Sequence, residues 1–168
     1  MTRLGKDFFA RPCLEVAEDL VGKVLCHETE QGILCLRISQ TEAYCGEQDT
    51  ACHAHKGRTP RTEVMYAEAG TLYIYLCYGM HWLMNIVTGE KEQPEAVLIR
   101  ACVDAPGPGK LTKAMQITGQ SNRTSVLSGK IWVADDGYTC RVKKAPRVGI
   151  GFATPEDQVK PWRFIMQA

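Results

Sequence analysis

The chain has 168 residues, of which 45% are hydrophobic, and its formal net charge is +1. This length supports one domain with a sizeable core rather than two, and the hydrophobic share argues against a disordered chain. Because the charge is nearly balanced, a nucleic-acid partner requires basic residues that are concentrated in one place.

Two features concern the location of the protein. No apolar run approaches the roughly 18 residues that a membrane span needs. The segment 1–7 also lacks the apolar core of a signal peptide. We therefore expect a cytoplasmic protein that does not bind membranes.

The first half of the chain predicts a helix followed by a hairpin. Residues 14–20 have the spacing of a short amphipathic helix. One side of this helix is expected to carry Leu14, Ala17 and Val21. Residues 23–28 and 33–41 then alternate between apolar and polar side chains around a turn at Gly32, which predicts a β-hairpin. Residues 46–61 are polar and irregular, as expected for a loop.

The second half predicts further strands with helices between them. A short capped helix is expected over 62–66, and a second helix over 111–117 after the chain-breaking run 105–109. Strands are expected at 72–76, 81–87, 96–103, 131–134, 139–142 and 147–152. These elements predict an α+β fold in one domain, 1–168, with a mixed sheet and helices on its rim.

A carboxylate and several tyrosines lie at the ends of predicted strands. Glu42 ends the hairpin strand and can act as a general base in a pocket that excludes competing water; the alternative is an exposed strand-end side chain. Tyr44 is two residues away and therefore shares the strand face of Glu42. Tyr73 and Tyr75 likewise share one face. Such aromatic side chains suit a flat ligand, and a stacked nucleobase gains roughly 1–3 kcal/mol.

The loop that follows contains histidine and concentrated positive charge. His53 is either a loop hydrogen-bonding residue or part of a site. Residues 56–61 include three cations in six positions, among them Arg58 and Arg61. This loop is either a solvated surface or a phosphate contact.

Three further side chains occupy unusual positions. Tyr78 is on a β-turn tip, where it is exposed unless it inserts into a partner such as a base stack. Asn85 and Arg100 each lie inside an apolar strand. A buried amide or guanidinium needs hydrogen-bond partners or a polar ligand.

The eight cysteines are spread singly, with no C-x-x-C pair, as expected for reduced cysteines used as small apolar residues. One cluster could bind zinc, although its spacing is looser than in structural zinc sites. It consists of Cys45, Cys52, His53 and His55.

Together these segments resemble one family, the alkyladenine (3-methylpurine) DNA glycosylases of base-excision repair, over almost the whole chain. The segments that carry the resemblance are Thr41–Tyr44, Thr59–Arg61, Gly70–Tyr73, Tyr78–Met80 with Met84 and Asn85, Leu98–Ala101, Gly107–Leu111 and Arg147–Gly151. The resemblance implies a curved, mostly antiparallel sheet and a monofunctional glycosylase without metal or other cofactor. Its substrate would be double-stranded DNA with alkylated or deaminated purines, and the protein a monomer, associated with the nucleoid in a prokaryote.

The resemblance also implies roles for single residues. Glu42 matches the general base that activates water. The flipped base would be held by Tyr44, His53 and Tyr75, while Asn85 would disfavour guanine. DNA contacts would come from Tyr78, which fills the gap in the duplex, and from Met80, Arg58, Arg61, Arg100, Val148 and Gly149.

One segment departs from the family. Many members have a longer charged segment after the strand that contains Arg100, whereas only residues 101–106 precede the Gly-Pro-rich turn here. A thinner DNA-binding surface would follow. The chain could therefore be a catalytically weak DNA-damage binder with the same pocket. A zinc-dependent hydrolase remains the third hypothesis.

Overall fold

The computed structural model describes residues 1–167, which form nine strands, four α-helices and three short 3-10 helices. The strands are β1 (Thr2–Arg3), β2 (Val24–Thr29), β3 (Gly32–Cys45), β4 (Leu72–Cys77), β5 (His81–Thr88), β6 (Glu95–Cys102), β7 (Ile131–Asp135), β8 (Arg141–Ala145) and β9 (Arg163–Gln167). The α-helices are α1 (Lys6–Phe9), α2 (Cys13–Leu20), α3 (Pro108–Ala114) and α4 (Pro155–Gln158), and the 3-10 helices are His53–Lys56, Thr62–Tyr66 and Gly119–Ser121.

The strands form one sheet in the order β1-β7-β2-β3-β6-β5-β4, with β9 on β3 and β8 on β9. The predicted α+β class and mostly antiparallel sheet are confirmed. Every strand pair within residues 1–167 is antiparallel, so the described sheet contains none of the parallel pairs of a mixed sheet. The long strand β3 connects the two halves, because it pairs first with β2 and then, beyond a bulge near Gln40, with β6 and β9.

One face of β3, β6, β5 and β4 packs on the helices α2 and α3 and is apolar. Its buried side chains include Ala43, Ile74, Met84, Ile86, Val97 and Ile99. Because side chains alternate along a strand, the residues between these positions project from the opposite face. That second face is where the polar and aromatic residues of these strands meet.

The helix α2 exists as predicted, but its buried face differs. The buried residues are Cys13, Val16, Ala17 and Leu20, which follow the helical period closely. Leu14 is 36% exposed, whereas Ala17 and Val21 are buried, so the three residues do not form one buried side as expected. The helix begins at Cys13, and its buried residues lie three, four and seven positions after Cys13.

The predicted strand 147–152 is instead an irregular loop. Its Val-Gly-Ile-Gly alternation imitates a strand, but Gly149 has φ +73° and Val148 donates its N–H to a side chain rather than to another strand. The elements α4 and β9 were not predicted. Thr154 caps α4 and Pro155 is its first residue, which is a typical helix start.

The short connection from β6 to α3 is a tight turn. Cys102 and Ala105 exchange two backbone hydrogen bonds of 3.0 Å each, and Val103 is half exposed beside them. The helix α3 follows almost at once at Pro108. Within residues 1–167, no helix has the length and apolar character needed to cross a membrane.

Candidate active site

A cavity of about 670 Å³ lies on the polar face of β3, β6, β5 and β4. The antiparallel register places Glu42 opposite Leu98, Leu98 opposite Asn85, and Asn85 opposite Tyr73, so these side chains share one face. The loops 46–61 and 147–152 complete the walls. Of the residues predicted for the site, those lining the cavity are Glu42, Tyr44, His53, Arg61, Tyr75, Tyr78, Asn85, Arg100, Val148 and Gly149.

The carboxylate of Glu42 is fully buried at this cavity, which contradicts the alternative of an exposed strand-end glutamate. Its Oε1 accepts a hydrogen bond of 2.9 Å from the Tyr44 hydroxyl, and this contact confirms the common strand face. Its Oε2 accepts one of 2.8 Å from the Val148 N–H. The guanidinium Nε of Arg100 is 3.6 Å from the same Oε2. These donors hold the carboxylate in one orientation, as general base chemistry requires.

The Tyr44 hydroxyl is a donor in this arrangement. Burial, followed by the negative charge of Glu42, raises the pKa of Tyr44 well above its usual value. The phenol is therefore protonated at neutral pH and donates to the carboxylate.

Three aromatic rings form a wall of the cavity. The ring centroids of His53 and Tyr75 are 4.7 Å apart, and those of Tyr73 and Tyr75 are 5.2 Å apart. The His53 Nδ1 is 2.7 Å from the Tyr73 hydroxyl, which fixes the imidazole. Arg61 places its guanidinium carbon 5.1 Å from the Tyr75 ring centroid. Tyr73, which the sequence placed on the aromatic face of β4 but to which no role was assigned, also lines the cavity.

We expect His53 to make the folded state less stable as the pH falls from about 6.5 to about 4. Burial, and then the charges of Arg61 and Lys56, lower its pKa from 6.5 to about 4. In this window the unfolded chain binds the proton and the folded chain does not, so the free energy of unfolding decreases with falling pH. The effect should be about 1 kcal/mol between pH 7 and pH 5, allowing for the partly exposed ring.

Urea unfolding of the wild type and of His53→Gln at these two pH values measures this effect. The wild type should lose more stability than the variant. An equal loss in both proteins would show that His53 carries no part of the pH dependence.

Asn85 and Arg100, the polar residues inside apolar strands, both face the cavity. Asn85 is 5% exposed, and its Nδ2 donates a hydrogen bond of 3.1 Å to the Tyr73 carbonyl. This bond determines which way the amide is turned. Arg100 reaches Glu42, as described above. The Arg100 side chain is 22% exposed, and the anion that its partly buried guanidinium requires is within the site itself.

The turn between β4 and β5 projects its side chains into solvent at the cavity mouth. Tyr78 is 90% exposed and has φ +52°. Met80, on the same turn, is 74% exposed and is outside the cavity lining. Large apolar side chains exposed together mark a contact surface.

Arg58 has partners other than those predicted. Its guanidinium forms ion pairs with Glu63, at 2.6 Å, and with Glu92, and it stacks on the Tyr66 ring. It is not part of the cavity lining. A phosphate contact by Arg58 therefore has to compete with two carboxylates.

The four residues of the possible zinc cluster, Cys45, Cys52, His53 and His55, are not assembled into a site. The Nδ1 of His55 is 2.8 Å from the Glu47 carbonyl, and the Sγ of Cys45 is 2.7 Å from that of Cys13. His53 is held by Tyr73. Across residues 1–167, no group of three or more His, Cys, Asp or Glu side chains is arranged to hold a metal ion. The possible zinc cluster is therefore not formed within these residues.

A buried ion pair next to the cavity residue Val148 was not predicted from the sequence. Arg147 and Asp49 are 2.6 Å apart, with side chains 0% and 1% exposed. Arg147 lies in a segment that carried the family resemblance, but nothing in the sequence indicated its partner, 98 residues away.

The α+β fold and a buried carboxylate in an aromatic cavity fit an enzyme that acts on a nucleobase. The comparisons with known proteins define the class as a DNA glycosylase, which is a hydrolase of N-glycosidic bonds. The sequence model for methylpurine-DNA glycosylase matches residues 7–168. The chain belongs to the methylpurine-DNA glycosylase family, which confirms the resemblance.

Similar proteins come from bacteria and archaea. A protein of Psychrobacter cryohalolentis is 46% identical, covering 87% of this chain and 84% of its own length. One of Methanocella arvoryzae is 43% identical, covering 98% and 92%, and one of Desulfitobacterium hafniense is 38% identical, covering 99% and 96%. All three carry the name "Putative 3-methyladenine DNA glycosylase". The third alignment spans 196 positions against 168 residues here, so that relative contains residues without a counterpart in this chain.

Proposed function

We propose that this protein flips alkylated or deaminated purines out of double-stranded DNA and hydrolyses their N-glycosidic bond, which starts base-excision repair. The substrate class is 3-methyladenine, 7-methylguanine, hypoxanthine and ethenoadenine. The observation that carries the proposal is the Glu42 carboxylate, buried in the aromatic cavity and held by two donors. The names of the relatives support the 3-methyladenine part.

The proposed chemistry is hydrolytic and needs no cofactor. A water molecule attacks C1′ of the flipped nucleotide while Glu42 takes up its proton, and the departing base keeps the electron pair of the broken bond. A cationic alkylpurine is already a good leaving group and stacks well on electron-rich rings. A neutral base such as hypoxanthine leaves more easily when it is protonated. No lysine is assigned as a Schiff-base nucleophile, so the DNA strand stays intact.

The cavity residues receive the following roles in this proposal. Tyr44, His53 and Tyr75 hold the flipped base between their rings. Asn85 crowds the 2-amino group of guanine and disfavours it. Arg100 supports Glu42 and reaches the DNA backbone next to the flipped nucleotide.

The rim residues contact the DNA. Tyr78 fills the gap that the flipped base leaves, and the other proposed contacts are Met80, Arg58, Arg61, Val148 and Gly149. With a charge of +1, affinity for DNA should be modest and sensitive to salt. We propose that residues 1–168 act as one glycosylase domain and as a monomer on chromosomal DNA in the cytoplasm.

A second candidate function is that of a damage-binding protein that turns over slowly. It is favoured by the tight turn between β6 and α3, which leaves little surface there for contact with DNA. Retention of the buried Glu42 argues against it, because binding alone does not require a carboxylate.

The test uses purified protein and end-labelled duplexes with one hypoxanthine or one ethenoadenine, together with methylated genomic DNA. Each reaction is run with and without EDTA, and alkali reveals the abasic sites. We expect base release from the methylated DNA and from at least one duplex. Tight lesion binding without release would support the damage binder, and the absence of both would overturn the proposal. Loss of release on adding EDTA would restore the zinc hypothesis.

A further inference from the structure

We propose that Asp49 and Arg147 are positioning residues, which act as one unit to hold Glu42 and the wall of the base pocket in their working arrangement. This inference rests on the proposed glycosylase function. Neither residue lines the cavity, so both would act through their neighbours.

The pair is built with more contacts than an ordinary ion pair. The Arg147 Nη1 and Nη2 donate to the two carboxylate oxygens of Asp49 at 2.6 and 3.0 Å, and Nη1 also donates to the Ala43 carbonyl at 3.0 Å. Both side chains are essentially inaccessible to water. Since burying two charges costs about as much as their attraction returns, stability alone is a weak reason for such a pair. Placement of neighbouring groups is a stronger one.

Arg147 supports both hydrogen-bond donors of Glu42. Its guanidinium carbon is 5.0 Å from the Tyr44 ring centroid and 4.9 Å from that of Trp162, so it lies against both rings. The Tyr44 hydroxyl donates to one oxygen of Glu42. The residue after Arg147 is Val148, whose N–H donates to the other oxygen. A shift of Arg147 therefore moves both donors together.

Asp49 extends the same support to the loop that leads to His53. Its Oδ2 accepts the N–H of Cys45, next to Tyr44, at 2.9 Å, and its Oδ1 accepts the N–H of Ala51 at 3.1 Å. Its carbonyl accepts the N–H of Cys52 at 2.9 Å. Asp49 thus fixes the end of β3 and the segment Ala51–Cys52 that precedes the His53 helix. The general base and the base-stacking wall share a single anchor.

The test compares Asp49→Asn, Arg147→Lys, Arg147→Gln and the double variant Asp49→Asn/Arg147→Gln. We expect Asp49→Asn and Arg147→Gln to slow single-turnover base release by about 10- to 100-fold, as for a misplaced catalytic group, while the lesion Kd weakens by a clearly smaller factor, as for a shifted stacking wall. Arg147→Lys should lose less, because it keeps the charge but not the two-pronged, stacked geometry. The double variant should release base at about the same rate as the single variants, as expected when the two residues act as one unit.

The matched control is Asp136→Asn, which removes the carboxylate of a similar two-pronged ion pair away from the cavity. In that pair Arg37 donates to the two oxygens of Asp136 at 2.7 and 3.1 Å. Base release by this variant should equal that of the wild type. The second readout is amide hydrogen exchange at Val148 by NMR, which should become at least tenfold faster in Asp49→Asn and Arg147→Lys, while the amides of β5 stay protected.

Three outcomes overturn the inference. One is unchanged base release in folded variants. Another is a lesion Kd that rises by the same factor by which the rate of base release falls. The last is an unchanged rate of amide hydrogen exchange at Val148. If the wild type releases no base, the proposed function fails on its own, and the exchange of Val148 still decides whether this pair holds the loop. If Asp49→Asn does not fold, Arg147→Lys carries both readouts.

Discussion

Replacing Glu42 with glutamine is expected to slow base release by a factor of about 10² to 10⁴, the range that general base catalysis contributes. The amide cannot take up the proton of the attacking water. Glutamine keeps the size of the side chain, which matters because the position is fully buried. The single oxygen of glutamine can replace only one of the two acceptors of Glu42. Its NH₂ group then faces the other donor, either the Tyr44 hydroxyl or the Val148 N–H. A modest loss of thermal stability should accompany the loss of rate.

Single-turnover kinetics on an ethenoadenine or hypoxanthine duplex measures the rate, and a gel-shift titration of the same duplex measures lesion binding. Binding should change far less than the rate. Glu28→Gln, the same chemical change at an exposed position of β2, is the control and should leave release unaltered. A Glu42→Gln protein that releases base at the wild-type rate would remove Glu42 from the mechanism.

Local periodicity accounts for what the sequence predicted well. Glu42 and Tyr44 share a face because strand side chains alternate, and the hairpin register follows from a short turn. The odd polar residues Asn85 and Arg100 marked the cavity, because apolar strands accept such side chains only where partners exist. These inferences needed only neighbouring residues. They placed Glu42 with Tyr44 and Tyr73 with Tyr75 on shared strand faces, whereas the choice of Glu42 and His53 as site residues came from the family resemblance.

Long-range pairing accounts for what the sequence did not predict. The partner of Arg147 is 98 residues away, and no local pattern encodes that contact. Of the two carboxylates that pair with Arg58, Glu92 is likewise distant, at 34 residues, whereas Glu63 is only five residues away and was within reach of a local pattern. The loop 147–152 looked like a strand because its apolar residues alternate with glycine. Its backbone is instead fixed by the buried ion pair and by Glu42.

Replacing Tyr78 with alanine is expected to weaken binding to lesion-containing duplex by about 10- to 100-fold, since a stacked aromatic side chain contributes roughly 1–3 kcal/mol. Base release at limiting protein should fall to the same extent. The side chain is 90% exposed, so its loss removes almost no folding contacts. Alanine and tyrosine both carry a Cβ, so the strain at φ +52° is unchanged. The thermal midpoint should therefore stay close to that of the wild type.

Two controls test whether Tyr78 acts as a wedge, that is, fills the gap left by the flipped base, or only contacts the DNA surface. Tyr78→Phe keeps the ring and should retain nearly full affinity, whereas Tyr138→Ala removes an exposed tyrosine outside the cavity lining and should have little effect. Release from a single-stranded lesion should be insensitive to Tyr78→Ala, because a single strand has no gap to fill. If the variant loses activity equally on single and double strands, Tyr78 contacts the base or its backbone and does not act as a wedge. The duplex-specific loss is thus the result that ties this exposed turn to base flipping.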